Sequence, residues 1–157
     1  MQAEPEYKRI VVPLDGPGFA ELAIPHAARI ARNHNAELIL LHVYVSPFRA
    51  VADQIMLAGQ EEQMRILREN MRTYLMGLRN ELRQEGIRAR AEIVEAFGPA
   101  RGVCNYVEAN NVDLVVMTTR GLSGLTRWLF GSVAQKVLQG VRVPVLLIHP
   151  DDAEQAE

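Results

Sequence analysis

The feature that most constrains this chain is a series of short, nearly continuous apolar runs separated by helical patterns. Four runs stand out: Ile10–Leu14, Leu38–Val45, Val112–Met117 and Val143–Ile148. Each is rich in Val, Ile or Leu. A strand buried on both faces reads this way, so the runs predict strands of a parallel sheet. A fifth segment, Ile87–Val94, alternates apolar and charged residues and reads as an edge strand.

Helical patterns fill the intervals. Ala20–Asn33 sets Leu22, Ala23, His26, Ala27, Ile30 and Ala31 on one face. Gln54–Glu85 carries the stripe Met64, Leu67, Met71, Tyr74/Leu75, Leu78 and Leu82, with Gly86 in the C-cap position. Its arginines interleave with glutamates, as on a solvated face. Pro99–Asn110 turns Val103, Tyr106 and Val107 inward, with Pro99 in the first turn. Ser132–Gln139 brings in Val133, Val137 and Leu138, and Gly140 closes it. Strand and helix alternate, which predicts an α/β fold: a doubly wound five-stranded parallel sheet with helices on both faces. Right-handed crossovers, with the most apolar strands central, select the order 3-2-1-4-5. The length of 157 residues suits one domain, 1–157, with 1–7 and 151–157 as loose ends.

Composition bounds the partners. A net charge of −2, from 17 Lys+Arg and 19 Asp+Glu, supplies no global field for nucleic acid or an acidic membrane. No apolar run approaches the ~20 residues of a membrane span, and the first residues lack a signal-peptide pattern. A soluble, cytoplasmic protein with neither nucleic acid nor membrane as partner is expected. The single cysteine, Cys104, forms no internal disulfide and supplies no multi-cysteine metal site.

In a doubly wound sheet, ligands bind beyond the carboxyl ends of the strands where the strand order reverses. Here those ends read Asp15-Gly16-Pro17-Gly18 and Thr118-Thr119-Arg120-Gly121. The segment Thr118–Val133 places Gly121 and Gly124 in a loop and Gly131-Ser132 just before a helix. Backbone N–H groups at a helix N-terminus favour a phosphate; a loop and N-cap without any ligand is the other reading. Arg120 and Arg127 border the loop, as phosphate partners or as solvated side chains. Trp128, Leu129 and Phe130 form a bulky apolar patch suited to packing or a subunit contact. The P-loop pattern is absent, since no Gly-Lys pair occurs. Gly16-x-Gly18 lacks the third glycine of a dinucleotide fingerprint, which falls at Glu21, and reads as a tight turn. His26 and His34 lie too far apart for a helical metal pair, and His42 reads as a satisfied core histidine. No catalytic residue and no metal ligand is assigned.

Gly121, a nine-residue gap and then Gly131-Ser132 resemble the second half of the universal stress protein signature, G-x2-G-x9-G-[ST]. Ile10–Gly16, Leu40–Val43, Val112–Met117 and Pro144–Ile148 resemble the first, second, fourth and fifth strands of that family. The resemblance covers nearly the whole chain. Three positions depart from it: the first signature glycine falls at Thr118, Pro17 stands where serine is frequent, and Phe97-Gly98-Pro99-Ala100 displaces the glycine of a G-x-P-A turn by one. The resemblance implies ATP or another adenine nucleotide, with Mg2+ as a possible companion. It implies Asp15 at the ribose and Pro13 and Leu14 beside the base. The Val43 backbone would meet adenine, with Met117 and Thr118 at the exit of the fourth strand. Gly121, Gly131, Ser132 and Val133 would hold the phosphates. It further implies an antiparallel homodimer through Val143–Ile148, acting in stress response or regulation. Slow ATP hydrolysis or self-phosphorylation is one alternative. An interaction module that does not bind nucleotide is another, raised by Thr118.

Overall fold

The computed structural model describes residues 3–45, 58–119 and 131–150. Strands β1 (Arg9–Pro13), β2 (Glu37–Val45), β3 (Arg88–Ala96), β4 (Leu114–Thr118) and β5 (Val145–Ile148) form one parallel sheet. Its order is β3-β2-β1-β4-β5, as the apolar runs require. The helices are α1 (Ala23–His34), α2 (Ala58–Gln84), α3 (Pro99–Ala109) and α4 (Ser132–Gly140).

Successive strand residues point to opposite faces, and here both faces are buried. Ile10, Val12, Leu38, Leu40, Leu114 and Val116 enter one core with Ala27 and Ala31 of α1 and Leu75 and Leu82 of α2. Val11, Ile39, Leu41, Val115 and Met117 enter the other with Val103 and Tyr106 of α3 and Ala134 and Val137 of α4. That double burial is why the runs carry so little polar alternation. The strand read from Ile87–Val94 is indeed at an edge, as β3.

Several helix positions differ from the periodic reading. A 3-10 turn, Phe19–Leu22, precedes α1, so the helix proper starts at Ala23. His26 faces solvent, and Ala28 takes the buried position. On α4 the inward residue is Ala134, while Leu138 is largely exposed. On α2, Leu67 is 59% exposed although it continues the stripe. Length explains this: 27 residues of helix span ~40 Å, whereas the nine residues of β2 span ~30 Å. Only the C-terminal half of α2 meets the sheet, and the first turns run past its carboxyl end. The N-terminal stretch read as loose stops short of Tyr7. That ring packs against the core and meets His34 edge-on at 5.1 Å.

Gly102 sets the distance between α3 and the sheet. A Cβ there would lie 2.4 Å and 2.7 Å from the two methyls of Val43. Val43 is β-branched and stiff, so the neighbour yields only by moving backbone. Gly77, on the exposed side of α2, has nothing within 4 Å of the equivalent point. Replacement by alanine therefore separates two roles. Gly77→Ala is expected to stabilise the fold by roughly 0.5–1 kcal/mol through helix propensity. Gly102→Ala is expected to lose about 1–2 kcal/mol, because overpacking outweighs the same propensity gain. Urea unfolding midpoints of the two variants, measured together, check the opposite signs.

Candidate functional site

The sheet reverses its winding between β1 and β4, which are neighbours in the ladder. Beyond their carboxyl ends, three elements converge. β1 ends at Pro13, and Leu14 continues the ladder by donating its N–H to the Leu41 carbonyl at 2.8 Å. Pro13 stands opposite Leu41, so Asp15 comes level with Val43 on β2. Leu14 is buried and Asp15 exposed at the mouth. Gly16 then turns the chain with φ +132°, a conformation that side chains resist. Asp15 is not a helix cap: the cap positions are Gly18 for the 3-10 turn and Leu22 for α1.

On the other side, β4 delivers Met117 and Thr118, both 5% exposed, with Thr118 paired in register to Ile148. Among the described residues only Asn35 and Asn111 combine a side chain with positive φ, so Thr118 occupies ordinary strand backbone and needs no glycine. Thr119 follows, donating its N–H to the Ile148 carbonyl at 3.0 Å. Its own carbonyl accepts the Gly131 N–H at 2.6 Å. That bond pins the start of α4 to the end of β4. It also occupies the Gly131 donor, which alters the role implied for this residue. The first-turn N–H groups of Ser132 and Val133 have no intrahelical acceptor. Val133 and Val43 both lean against the α3–α4 core, so the Val43 side chain is packing. Gly121, with Arg120, Gly124, Arg127 and Trp128–Phe130, lies outside the described residues.

Two further contacts shape the mouth. His42 Nδ1 lies 2.8 Å from the Leu14 carbonyl. A carbonyl only accepts, so Nδ1 carries the proton, and the imidazole fixes the strand exit from which Asp15 projects. Tyr74 of α2 donates its hydroxyl to Glu21 Oε1 at 2.5 Å. Its pKa is raised by burial first, then by the Glu21 bond and charge, with Asp15 adding a smaller push. Tyr74, Glu21 and Asp15 thus share one corner. The overhanging turns of α2 close in above it: Met71 approaches Gly16, and the Arg68 guanidinium sits 4.2 Å from the Tyr44 ring centroid. Arg68 is exposed, as its charge pattern suggests, and still covers the Tyr44 ring.

Reactive chemistry is sparse here. Burial pushes the Cys104 thiol up, which disfavours the nucleophilic thiolate. Among the described residues no three His, Cys, Asp or Glu side chains gather as a metal site. No helix among them is long and apolar enough to cross a membrane.

Residues 6–149 match the family model described as the Universal stress protein family. The chain belongs to this family. Universal stress protein MJ0531 of Methanocaldococcus jannaschii is 33% identical over 149 residues, covering 94% of this chain and 85% of that protein. The solved structure of MJ0577, also from M. jannaschii, is 27% identical and superposes with a TM-score of 0.79, covering 92% of this chain and 97% of that one. A universal stress protein solved in complex with cAMP is 23% identical, with a TM-score of 0.65 and coverage of 93% and 99%.

The family signature points to Asp15 and the Gly131-Ser132 corner, but no motif marks His42, Glu21 or Tyr74. Their only trace is a polar residue inside an apolar run or stripe. Removing the Tyr74 hydroxyl should leave a half-buried Glu21 carboxylate without its donor. Tyr74→Phe is expected to cost about 1–2 kcal/mol at neutral pH. The folded-state pKa lies above the unfolded value, so the tyrosine's contribution is complete below about pH 10 and fades as pH rises beyond it. Urea titrations at pH 8 and pH 11 should therefore show a smaller alkaline loss of stability in Tyr74→Phe than in the parent.

Proposed function

We propose that this universal stress protein binds an adenine nucleotide at the β1/β4 switch point and acts as a ligand-responsive homodimer in a cytoplasmic stress response. The observation that carries the reading is family membership across residues 6–149, together with relatives of the same fold solved with cAMP, dAMP and AMP. The residues at the switch point fit such a ligand. Asp15, acceptor-only when ionised, suits ribose hydroxyls. Pro13 and Leu14 flank the base position, and the Val43 backbone can meet the adenine edge. The N–H groups of Ser132 and Val133, with the Ser132 hydroxyl, suit phosphate. Gly131 serves by lacking a Cβ, and Gly121 belongs to the same phosphate set by its place in the signature. Met117 and Thr118 form the strand exit between the two halves. ATP is the ligand proposed for the cell, with Mg2+ arriving on its phosphates.

Dimerisation is assigned to β5 and the residues leading into it, Val143–Ile148. β5 is the second sheet edge, and Leu146 and the neighbouring helix residue Leu138 are 36% and 42% exposed. An apolar edge strand with its backbone open is a template for pairing.

Calorimetric titration with AMP and with ATP plus Mg2+ tests the site. Binding is expected, with Asp15→Ala weakening both nucleotides at least tenfold. Absence of heat at millimolar nucleotide would overturn the proposal. If Thr118 has cost the chain its ligand, Thr118→Gly will bind where the parent does not. For the dimer, sedimentation velocity should give twice the chain mass, and Leu146→Arg should return it to the monomer.

A further inference from the structure

β3 is the sheet edge opposite β5, with β2 as its one neighbour in the ladder. In a parallel ladder the N–H and C=O of one residue point the same way, and successive residues alternate. The Ala89 carbonyl points away from β2, since it accepts a bond from Arg83 Nε at 2.9 Å. The same parity turns the N–H and C=O of Ala91 and Ile93 outward. Beside them lies a groove of about 360 Å³ between β3 and α2. Its floor is apolar, made by Leu75, Met76 and Ile93, and Met76 is 39% exposed. Ligand pockets run from ~300 to ~1,000 Å³, so this volume suits side chains of a strand better than a whole cofactor.

The charge along this edge is mixed, with Glu92 beside two arginines in the groove lining. Arg72 and Arg79 line the groove from α2. They sit two turns apart, ~10.5 Å along the helix, within side-chain reach of positions four residues apart on one face of an extended chain. Arg72 makes no ion pair or side-chain hydrogen bond among the described residues, and Arg79 bonds only to neighbouring Asn80. On the opposite face of the same strand, Arg90 is already matched, donating from Nη2 to the Tyr106 hydroxyl at 3.1 Å and lying 3.3 Å from Glu92 and 3.8 Å from Glu37. Among the described residues, the unmatched guanidinium groups at this edge are those of Arg72 and Arg79.

We propose that β3 and the α2 groove form a docking site for an extended acidic segment of a partner protein, added to the sheet as a sixth strand. Ala91 and Ile93 would supply the main-chain bonds, the groove would take an apolar side chain, and Arg72 and Arg79 would meet carboxylates. A second copy of this chain fits less well. Two-fold pairing through β3 would set Arg72 and Arg79 of each copy against those of the other.

The probe is an N-acetylated, C-amidated peptide Thr-Glu-Thr-Val-Thr-Glu-Thr, which sets two glutamates and a central valine on one face of a strand, with the same peptide carrying lysine in place of glutamate as control. Fluorescence anisotropy should show saturable binding of the glutamate peptide, weakened by salt and at least tenfold weaker in the Arg72→Glu, Arg79→Glu double variant. Amide hydrogen exchange on the unmodified protein should slow at Ala91 and Ile93 when the peptide is present. No binding, equal binding of the lysine peptide, or binding without slowing at those two amides would each overturn the proposal. So would protection of the two amides by self-association without peptide.

Discussion

Burial of the central strands on both faces is the constraint from which the rest of this molecule follows. β1, β2 and β4 place alternate residues into two separate cores, and neither core can close without its own pair of helices. With right-handed crossovers, helices reach both faces only if the chain winds outward from the middle in both directions. The cleft between β1 and β4 is the unavoidable result. It is lined by strand ends and a helix start, both rich in backbone polar groups that the fold itself leaves partly unpaired.

That same constraint decided what the sequence could reveal. Apolar runs such as Ile10–Leu14 sit in a continuous pattern because no face is wet, so strand number and order were legible. The ends of elements were less so. Val143 and Pro144 read as strand but precede it: Pro144 has no N–H, and its carbonyl instead accepts the Val115 N–H at 3.0 Å. Helix faces failed where length exceeded the sheet. Periodicity at Leu67 reports which side of a helix is apolar and says nothing about whether anything lies opposite. For the site, the signature glycines were visible, but hydrogen-bond partners were not. The Thr119 carbonyl that occupies the Gly131 N–H is a backbone group, and backbone carries no sequence signal.

Two glycines show how packing reaches the cleft. Gly102 lets α3 settle onto the Val43 methyls, and Gly140 brings α4 close enough to α3 that a Cβ would stand 2.6 Å from Cys104 Sγ. Val43 lies on β2 beside the strand exits, and α4 begins where Gly131 is bonded to Thr119. Close helix approach therefore positions both sides of the proposed site from behind. The Asp113 carboxylate acts likewise at the far end of the sheet, accepting the Lys8 and Arg9 N–H groups at 2.6 Å and 2.8 Å and so tying the entry of β4 to that of β1.

Charge gives the cleft a direction. A formal net charge of −2 offers an anion nothing at long range. Locally the two walls differ. The β1 side holds Asp15 and, behind it, the Glu21 carboxylate bonded to Tyr74, a corner that repels phosphate. The α4 side holds the positive end of a helix dipole and first-turn N–H groups that have no intrahelical acceptor. For the nucleotide proposed above, this difference favours one orientation, hydroxyls toward Asp15 and phosphates toward Ser132 and Val133. The dipole acts only within about the first turn, so displacing α4 by a few ångströms would weaken that preference. The 2.6 Å bond from Gly131 to Thr119 is what holds the distance, and with it the polarity of the site.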